Sequence, residues 1–309
     1  MTRRPIIIDT DPGQDDAVAL LLAFASRDAL DLRLISTVAG NVELGKVTAN
    51  ALRIRDLAGA DDVPVMAGMA GPMLLELETA AYVSGPDGLS GANLPAPVSC
   101  AMEGHAVDGI IRTLRESPPA SVTICALGPL SNIAMALRLA PDIAARIERL
   151  VIMGGAMGLG NVTPAAEFNF HVDPQAAAVV MGAGLPVTLF GLNVTHQALA
   201  LDGDLARLHA LGTATGRAVH GMLTRSRPGG FGTVAHPMHD PCVIAWLLWP
   251  ELFSGRDCHV QIELAPDVRG RSTIDWNNRL KRAPNAFVVN ELQRTPLFDR
   301  LITALATLP

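Results

Sequence analysis

Charge and aromatic surface are both scarce in this chain. Only 17% of its 309 residues are charged, and 24 Lys and Arg stand against 30 Asp and Glu, a net charge of −6. The arginines are scattered rather than clustered, so nothing neutralises a row of phosphates, and neither nucleic acid nor an acidic membrane is expected as a partner. Long apolar runs are also missing. None approaches about 18 residues without a charge or a turn, which argues against a membrane-spanning helix. The opening MTRRPIIID is apolar for three residues before Asp9, too short for a signal peptide. Four cysteines (Cys100, Cys125, Cys242, Cys258) form no CxxC, and Cys125 and Cys242 lie in apolar contexts as small core residues. A cytoplasmic protein is the expectation. There is no GxxxxGK phosphate loop, internal repeat, low-complexity tract or linker.

What is present is the material of an α/β core. The composition is 49% hydrophobic, and short β-rich runs alternate with longer helical patterns. Strands are expected at 5–9, 32–38, 63–66, 121–127, 149–154 and 186–190. Helices are expected at 15–26, 44–58, 105–116, 131–139, 173–182, 240–248 and 291–307, with Gly59 stopping the second. Continuous apolar strands alternating with helices imply a mainly parallel central sheet covered on both faces, Rossmann-like, in one domain over 1–309. The Pro- and Gly-rich stretches 84–97 and 226–237 read as long surface loops.

Ligands of open α/β sheets sit outside the carboxyl ends of the strands. Those ends are rich in polar groups here. The first strand runs into Asp9-Thr-Asp11-Pro-Gly-Gln-Asp15-Asp16, the second into Gly40-Asn41, the fourth into Leu127-Gly-Pro-Leu-Ser-Asn132, and the fifth into Met153-Gly-Gly155. AEFNFHVDP adds Glu167, Asn169 and Asp173, and MHDPC places His239 and Asp240 at a helix start. Buried carboxylates need a compensating positive charge. An all-oxygen set of carboxylates with a backbone carbonyl suits Ca²⁺ or Mg²⁺ rather than zinc, and flexible mixed coordination leans towards Ca²⁺. Asp15 and Asp16 alone could equally complement a helix N-terminus, but that does not account for Asp11 ahead of Pro12-Gly13.

In order and spacing, DTDPGQDDAVAL, VAGN, LGPLSN, VIMGG, AEFN and HDP resemble the inosine–uridine preferring nucleoside hydrolases, over essentially the whole chain. The resemblance implies an α/β fold with a mixed, mainly parallel sheet, a bound Ca²⁺, hydrolysis of ribonucleosides to ribose and free base, and a homodimer or homotetramer. Residue by residue it implies Asp11 as general base and metal ligand, Asp16, Asp240 and the Leu127 carbonyl as further ligands, and Asp240 also close to the substrate. It assigns Asp15 and Asn41 to the 2′-hydroxyl side of the ribose, Glu167 and Asn169 to the 3′- and 5′-hydroxyls, with Met153 and Phe168 beside the sugar. His239 matches the acid for the departing base. Asp9 carries a structural hydrogen-bonding role instead.

This inventory suits the chemistry. Cleaving a ribosyl bond builds positive charge on the sugar, a base must deprotonate the attacking water, and a histidine can protonate the leaving group. The chain departs from the family near the base. Ser84 stands where some members carry a histidine, and Tyr82 is the sole tyrosine. In the segment before HDP, Arg225, Arg227 or Phe231 stand in for the tyrosines of some relatives, with Arg227 as the candidate base contact. His171, His196 and His236 are expected to be structural, and Trp246 and Trp249 to belong to the core. Two alternatives remain open: a nucleoside- or ribose-binding relative without catalysis, and a haloacid-dehalogenase-type phosphatase, which leaves Asp15-Asp16, AEFN and HDP unexplained.

Overall fold

Ile6, Ile7 and Ile8 are consecutive, β-branched and fully buried, as an inner strand with both faces covered requires. They form β1 (Arg4–Thr10) in this computed structural model, which describes residues 3–225 and 236–309. The other strands are β2 (Leu30–Thr37), β3 (Val65–Ala67), β4 (Val122–Ala126), β5 (Ile147–Met153), β6 (Val187–Phe190), β7 (Leu199–Ala200), β8 (His236–Pro237), β9 (Phe253–Cys258), β10 (Val260–Ile262), β11 (Ser272–Ile274) and β12 (Ala286–Leu292). Eight of them make one sheet in the order β3-β2-β1-β4-β5-β6-β12-β9, parallel throughout except for β9, which runs antiparallel at the edge. The strand order reverses between β1 and β4, and the crevice at such a reversal is where α/β sheets bind ligands.

The helices are α1 (Gln14–Ala25), α2 (Leu44–Ala58), α3 (Ala81–Ser84), α4 (Ala106–Arg115), α5 (Ser131–Leu139), α6 (Phe168–Val172), α7 (Pro174–Met181), α8 (Leu192–Thr195), α9 (Asp202–Ala210), α10 (Ala214–Thr224), α11 (Pro241–Leu248) and α12 (Arg294–Leu305). Alternation along β1 divides the core. Ile6 and Ile8 pack with α1, α2, α11 and α12 on one face, and Ile7 packs with α4, α5 and α7 on the other. Trp246 and Trp249 are half-buried against the first of these cores, and Cys125 and Cys242 are buried, as expected. Gly59 ends α2 at φ +65°, a conformation that costs glycine little.

Each expected strand and helix is present, with ends displaced by a few residues. The last expected helix starts late because Ala286–Leu292 is a strand, and α12 begins only at Arg294. β9, α9 and α10 were not expected. Residues 85–97 form no helix or strand, yet Leu89, Ser90 and Ala92 are buried, so that stretch is a packed segment rather than a loose loop. Of the second expected loop only His236 and Pro237 are described, paired with Ala200 and Leu199. No helix among the described residues is long and apolar enough to cross a membrane.

Candidate active site

β1 delivers its acids directly to the strand-order reversal. Asp9 lies in register with Ser36 on β2 and Ala126 on β4, and its Oδ1 accepts hydrogen bonds from the Ser36 hydroxyl at 2.5 Å and the Asn132 amide at 2.8 Å. Burial pushes its carboxyl up to about 7. This is the structural role expected for Asp9. Asn132 does more than decorate the rim: its Nδ2 also donates to the Thr37 carbonyl at 3.0 Å, and its Oδ1 accepts from the Met69 amide at 2.8 Å. One side chain thus ties β1, β2 and the segment after β3. Asn132→Ala strands several buried polar groups, so a loss of about 1–3 kcal/mol in unfolding free energy is expected. Urea denaturation measures it, and an unchanged midpoint at unchanged slope would contradict this assignment.

Asp16 sits at the third position of α1 and is fully buried. Its Oδ1 accepts from the Thr10 hydroxyl (2.6 Å) and the Asp11 amide (3.3 Å), and its Oδ2 from the Gly13 amide (3.0 Å) and Asn41 Nδ2 (3.2 Å). It therefore caps the helix and also belongs to an acidic group. The carboxylates of Asp15, Asp16 and Asp240 each offer an oxygen within 4.8 Å of the others. Asp16 and Asp240 share a hydrogen bond, and burial with the surrounding carboxylates holds Asp240 well above the usual range and Asp16 at about 6. Among the described residues no lysine or arginine forms an ion pair with these acids. Buried negative charge without a basic partner is costly, and a hard cation with oxygen ligands is the partner that this donor set fits.

Asp11 stands beside that trio rather than within it. The trio expected from the resemblance contains Asp11; the trio that the structure brings closest contains Asp15. The reason is local. Asp11 Oδ2 accepts from the Asn41 amide at 2.7 Å, and its carboxylate lies flat against the backbone of Gly40 and Gly128, where an added Cβ would fall 2.2 Å from Oδ2 and 2.5 Å from Oδ1. Only glycine permits that approach. Asp11 is 1% exposed, and burial followed by repulsion from Asp16 raises its carboxyl well above the ordinary value.

The sugar-side candidates are all close at hand, but several side chains already have partners. Asn41 Nδ2 donates to the Asp11 carbonyl (3.1 Å) as well as to Asp16, so its donor holds the acids in place. Glu167 caps α6: Oε1 accepts from the Asn169 amide (2.8 Å), and Oε2 from the Gly155 (2.9 Å) and Phe170 (3.2 Å) amides. Burial pushes the Glu167 carboxyl up to about 7. Asn169 Nδ2 donates to the carbonyls of Leu127 (2.7 Å) and Met153 (3.2 Å), which joins three of the expected residues at the ends of β4 and β5. Phe168 is half-buried on α6. Asp173, read from the sequence as a rim group, is instead structural: it caps α7 and accepts from the Ser131 hydroxyl (2.6 Å) and the Met73 amide (2.9 Å).

His239, the residue before Asp240, is half-buried just before α11, its Nδ1 2.7 Å from Thr195 Oγ1 and its ring 5.5 Å from that of His196. Thr195 had no signal in the sequence beyond its place after an expected strand. His171 is buried between Glu78 (3.2 Å) and Arg269 (3.1 Å), a structural place. Ser84 is buried at the end of α3, Tyr82 is 62% exposed, and the backbone before them is tied to Asn41 by the Ala80 amide (3.0 Å). Arg227 and Phe231 lie outside the described residues.

Known proteins resemble this chain over nearly its whole length. The profile of the inosine-uridine preferring nucleoside hydrolases matches residues 6–299. A pyrimidine-specific ribonucleoside hydrolase RihA from Shewanella sp. (strain ANA-3) is 42% identical over 98% of this chain and 96% of its own length. The RihA of Salmonella paratyphi A is 43% identical over 96% of both. Among solved structures, a plant nucleoside hydrolase superposes with a TM-score of 0.92 at 29% identity, covering 99% of each chain. A purine-preferring ribonucleoside hydrolase from Gardnerella vaginalis gives 0.90 at 28%, covering 98% of each. With the acids of β1, the AEFN segment and His239-Asp240 gathered at one sheet edge, the chain belongs to the inosine-uridine preferring nucleoside hydrolase family and is a ribonucleoside hydrolase.

Proposed function

We propose that this enzyme acts on pyrimidine ribonucleosides, releasing ribose and the free base, and that its metal is Ca²⁺ held by Asp16, Asp240, Asp11 beside them and the Leu127 carbonyl, with Asp15 in the closest carboxylate group. The observation that carries the metal is the convergence of Asp15 and Asp16 with the distant Asp240 within 4.8 Å. The pyrimidine preference is supported by the pyrimidine-specific relatives, 42% and 43% identical over nearly the whole chain.

When bound, the cation lowers the pKa of water at the site. The chain's own residues do the rest. Asp11, braced by the Asn41 amide and two glycines, takes a proton from the attacking water. Asp15, Glu167 and Asn169 hold the ribose hydroxyls while positive charge develops on the sugar, so that binding energy remote from the reacting bond acts on the transition state. Met153 and Phe168 line the sugar. His239 protonates the base as the C1′–N bond breaks.

Incubation with a nucleoside panel tests the reading. Free uracil and cytosine should form from uridine and cytidine much faster than hypoxanthine from inosine. EDTA should stop the reaction and added Ca²⁺ restore it. Faster release from inosine overturns the base assignment; indifference to chelation overturns the metal.

The role of His239 has its own measurement. General acid help is typically worth about 10²–10⁴-fold, so His239→Ala should cost that much on uridine. A riboside with a good leaving group, 4-nitrophenyl riboside, should hardly be affected. A parallel loss on both substrates would show that His239 acts through its neighbour Asp240 rather than on the base.

A further inference from the structure

The segment that follows β6 runs alongside the segment that carries His239. Ala200 pairs with His236 across β7 and β8, and the Met238 amide donates to the Ala198 carbonyl at 2.8 Å. Closest of all is Thr195, with no solvent exposure, whose Oγ1 lies 2.7 Å from His239 Nδ1. Its own backbone is anchored by the bond from the Thr195 amide to the Gly191 carbonyl at 3.1 Å, and Leu192 at the start of α8 donates to the Gly155 carbonyl at 2.9 Å. The hydroxyl thus sits on a rigid base attached to the ends of β5 and β6. The neighbouring His196 ring, tilted by 58° to that of His239, flanks the imidazole.

We propose that Thr195 is a positioning residue of the active site: it grips Nδ1 of His239 and so presents Nε2 to the departing base. The proposal rests on the reading of His239 as the group that assists that base. A hydrogen bond on one ring nitrogen decides the orientation and the proton content of the other. A hydroxyl can accept from Nδ1–H or donate to a bare Nδ1, but in the doubly protonated ring only the first arrangement is open. Nδ1–H then donates to Thr195 Oγ1, and the Nε2 proton passes to the base nitrogen, which receives the electron pair of the breaking C1′–N bond. The hydroxide part of water adds to C1′ and its remaining proton goes to Asp11. His239 is left neutral with its Nδ1–H still on Thr195, and proton exchange with solvent resets both groups, so that nucleoside and water give ribose and base. Thr195 itself touches no reacting atom. Its contribution is the fixed ring, held through the 2.7 Å contact at Nδ1.

Thr195→Val keeps the shape and removes the hydroxyl; Thr195→Ser keeps the hydroxyl. Steady-state kinetics on uridine and on 4-nitrophenyl riboside decide between positioning and mere packing. The valine variant should lose about tenfold in kcat on uridine with KM little changed, while kcat on the riboside stays within about threefold. Serine should restore the uridine rate. In a His239→Ala background, Thr195→Val should cost nothing further. Equal losses on both substrates, failure of serine to rescue, or an additive loss in the alanine background would each overturn the proposal. Should valine compromise folding, ¹⁵N spectra of the wild-type imidazole still decide it: a protected Nδ1–H is expected, and a ring exchanging freely between tautomers refutes the contact. Those spectra also separate the two readings, because a wild-type enzyme that cleaved neither substrate would remove the role of His239 in catalysis without touching the Thr195 bond.

Discussion

Asp11→Ala is expected to lower kcat/KM on uridine towards the upper end of the 10²–10⁴-fold that general base catalysis contributes, about 10⁴-fold, while the protein remains folded. Two features of the site separate activity from stability here. Asp11 is a buried carboxylate held above its ordinary pKa by burial and by repulsion from Asp16 and Asp15, so its removal relieves a cost. Against that, the Asn41 amide loses its acceptor at 2.7 Å, a penalty of about 1–3 kcal/mol. The two effects oppose each other, and thermal unfolding of the metal-free variant should stay close to that of the wild type. The activity loss has no such offset, because no other carboxylate is braced against Gly40 and Gly128 at that place. Retention of more than a tenth of the wild-type rate would remove Asp11 from the role of base. Loss of activity together with loss of the folded far-UV spectrum would show that its part is structural.

Much of this was readable from the sequence because strand ends and ligand chemistry are local properties. Ile6–Ile8 followed by Asp9, Asp11, Asp15 and Asp16 states both a buried parallel strand and a polar rim, and Gly59 marks a helix end without any tertiary information. The remainder depends on partners distant in the chain. Asn132 and Asp173 carry side chains that bind ligands as readily as they brace loops. Only the positions of Asp9, Met69 and Thr37 for one, and Ser131 and Met73 for the other, identify them as braces. The exchange of Asp15 for Asp11 in the closest carboxylate trio likewise follows from the Asn41 amide and the two glycine backbones on one side of Asp11, none of which a spacing pattern encodes. β9 leaves no mark in the sequence because FSGRDC is an exposed edge strand, its middle four residues open to solvent, and such a strand lacks apolar alternation. β12 is a different case. Its Ala-Phe-Val-Val run is a plain strand signal, overlapped at its end by the longer helical pattern that follows.

The same commitments of Asn41 sharpen what to expect of the sugar. The residues assigned to the 2′-hydroxyl were Asp15 and Asn41, but the donor of Asn41 is already bonded to the Asp11 carbonyl and to Asp16. Asp15 is half-buried, and among the described residues no side-chain hydrogen bond of the kind that holds Asp16 engages its carboxylate. Recognition of the hydroxyl therefore rests mainly on Asp15, and a polar site that loses the hydroxyl it was built to bind discriminates strongly, by about 10⁴-fold. Uridine should accordingly be cleaved about 10⁴-fold better than 2′-deoxyuridine in kcat/KM. The two neighbouring substitutions should then part company. Asp15→Ala removes the acceptor of the 2′-hydroxyl, so it should lower the rate on uridine far more than on 2′-deoxyuridine and collapse the ratio between them. Asn41→Ala removes a brace of Asp11 and Asp16, so it should depress both substrates together and leave the ratio standing. A ratio that survives Asp15→Ala but collapses in Asn41→Ala would reverse the assignment. It would mean that the Asn41 side chain leaves the Asp11 carbonyl and the Asp16 carboxylate to meet the sugar, with Asp15 serving the metal alone.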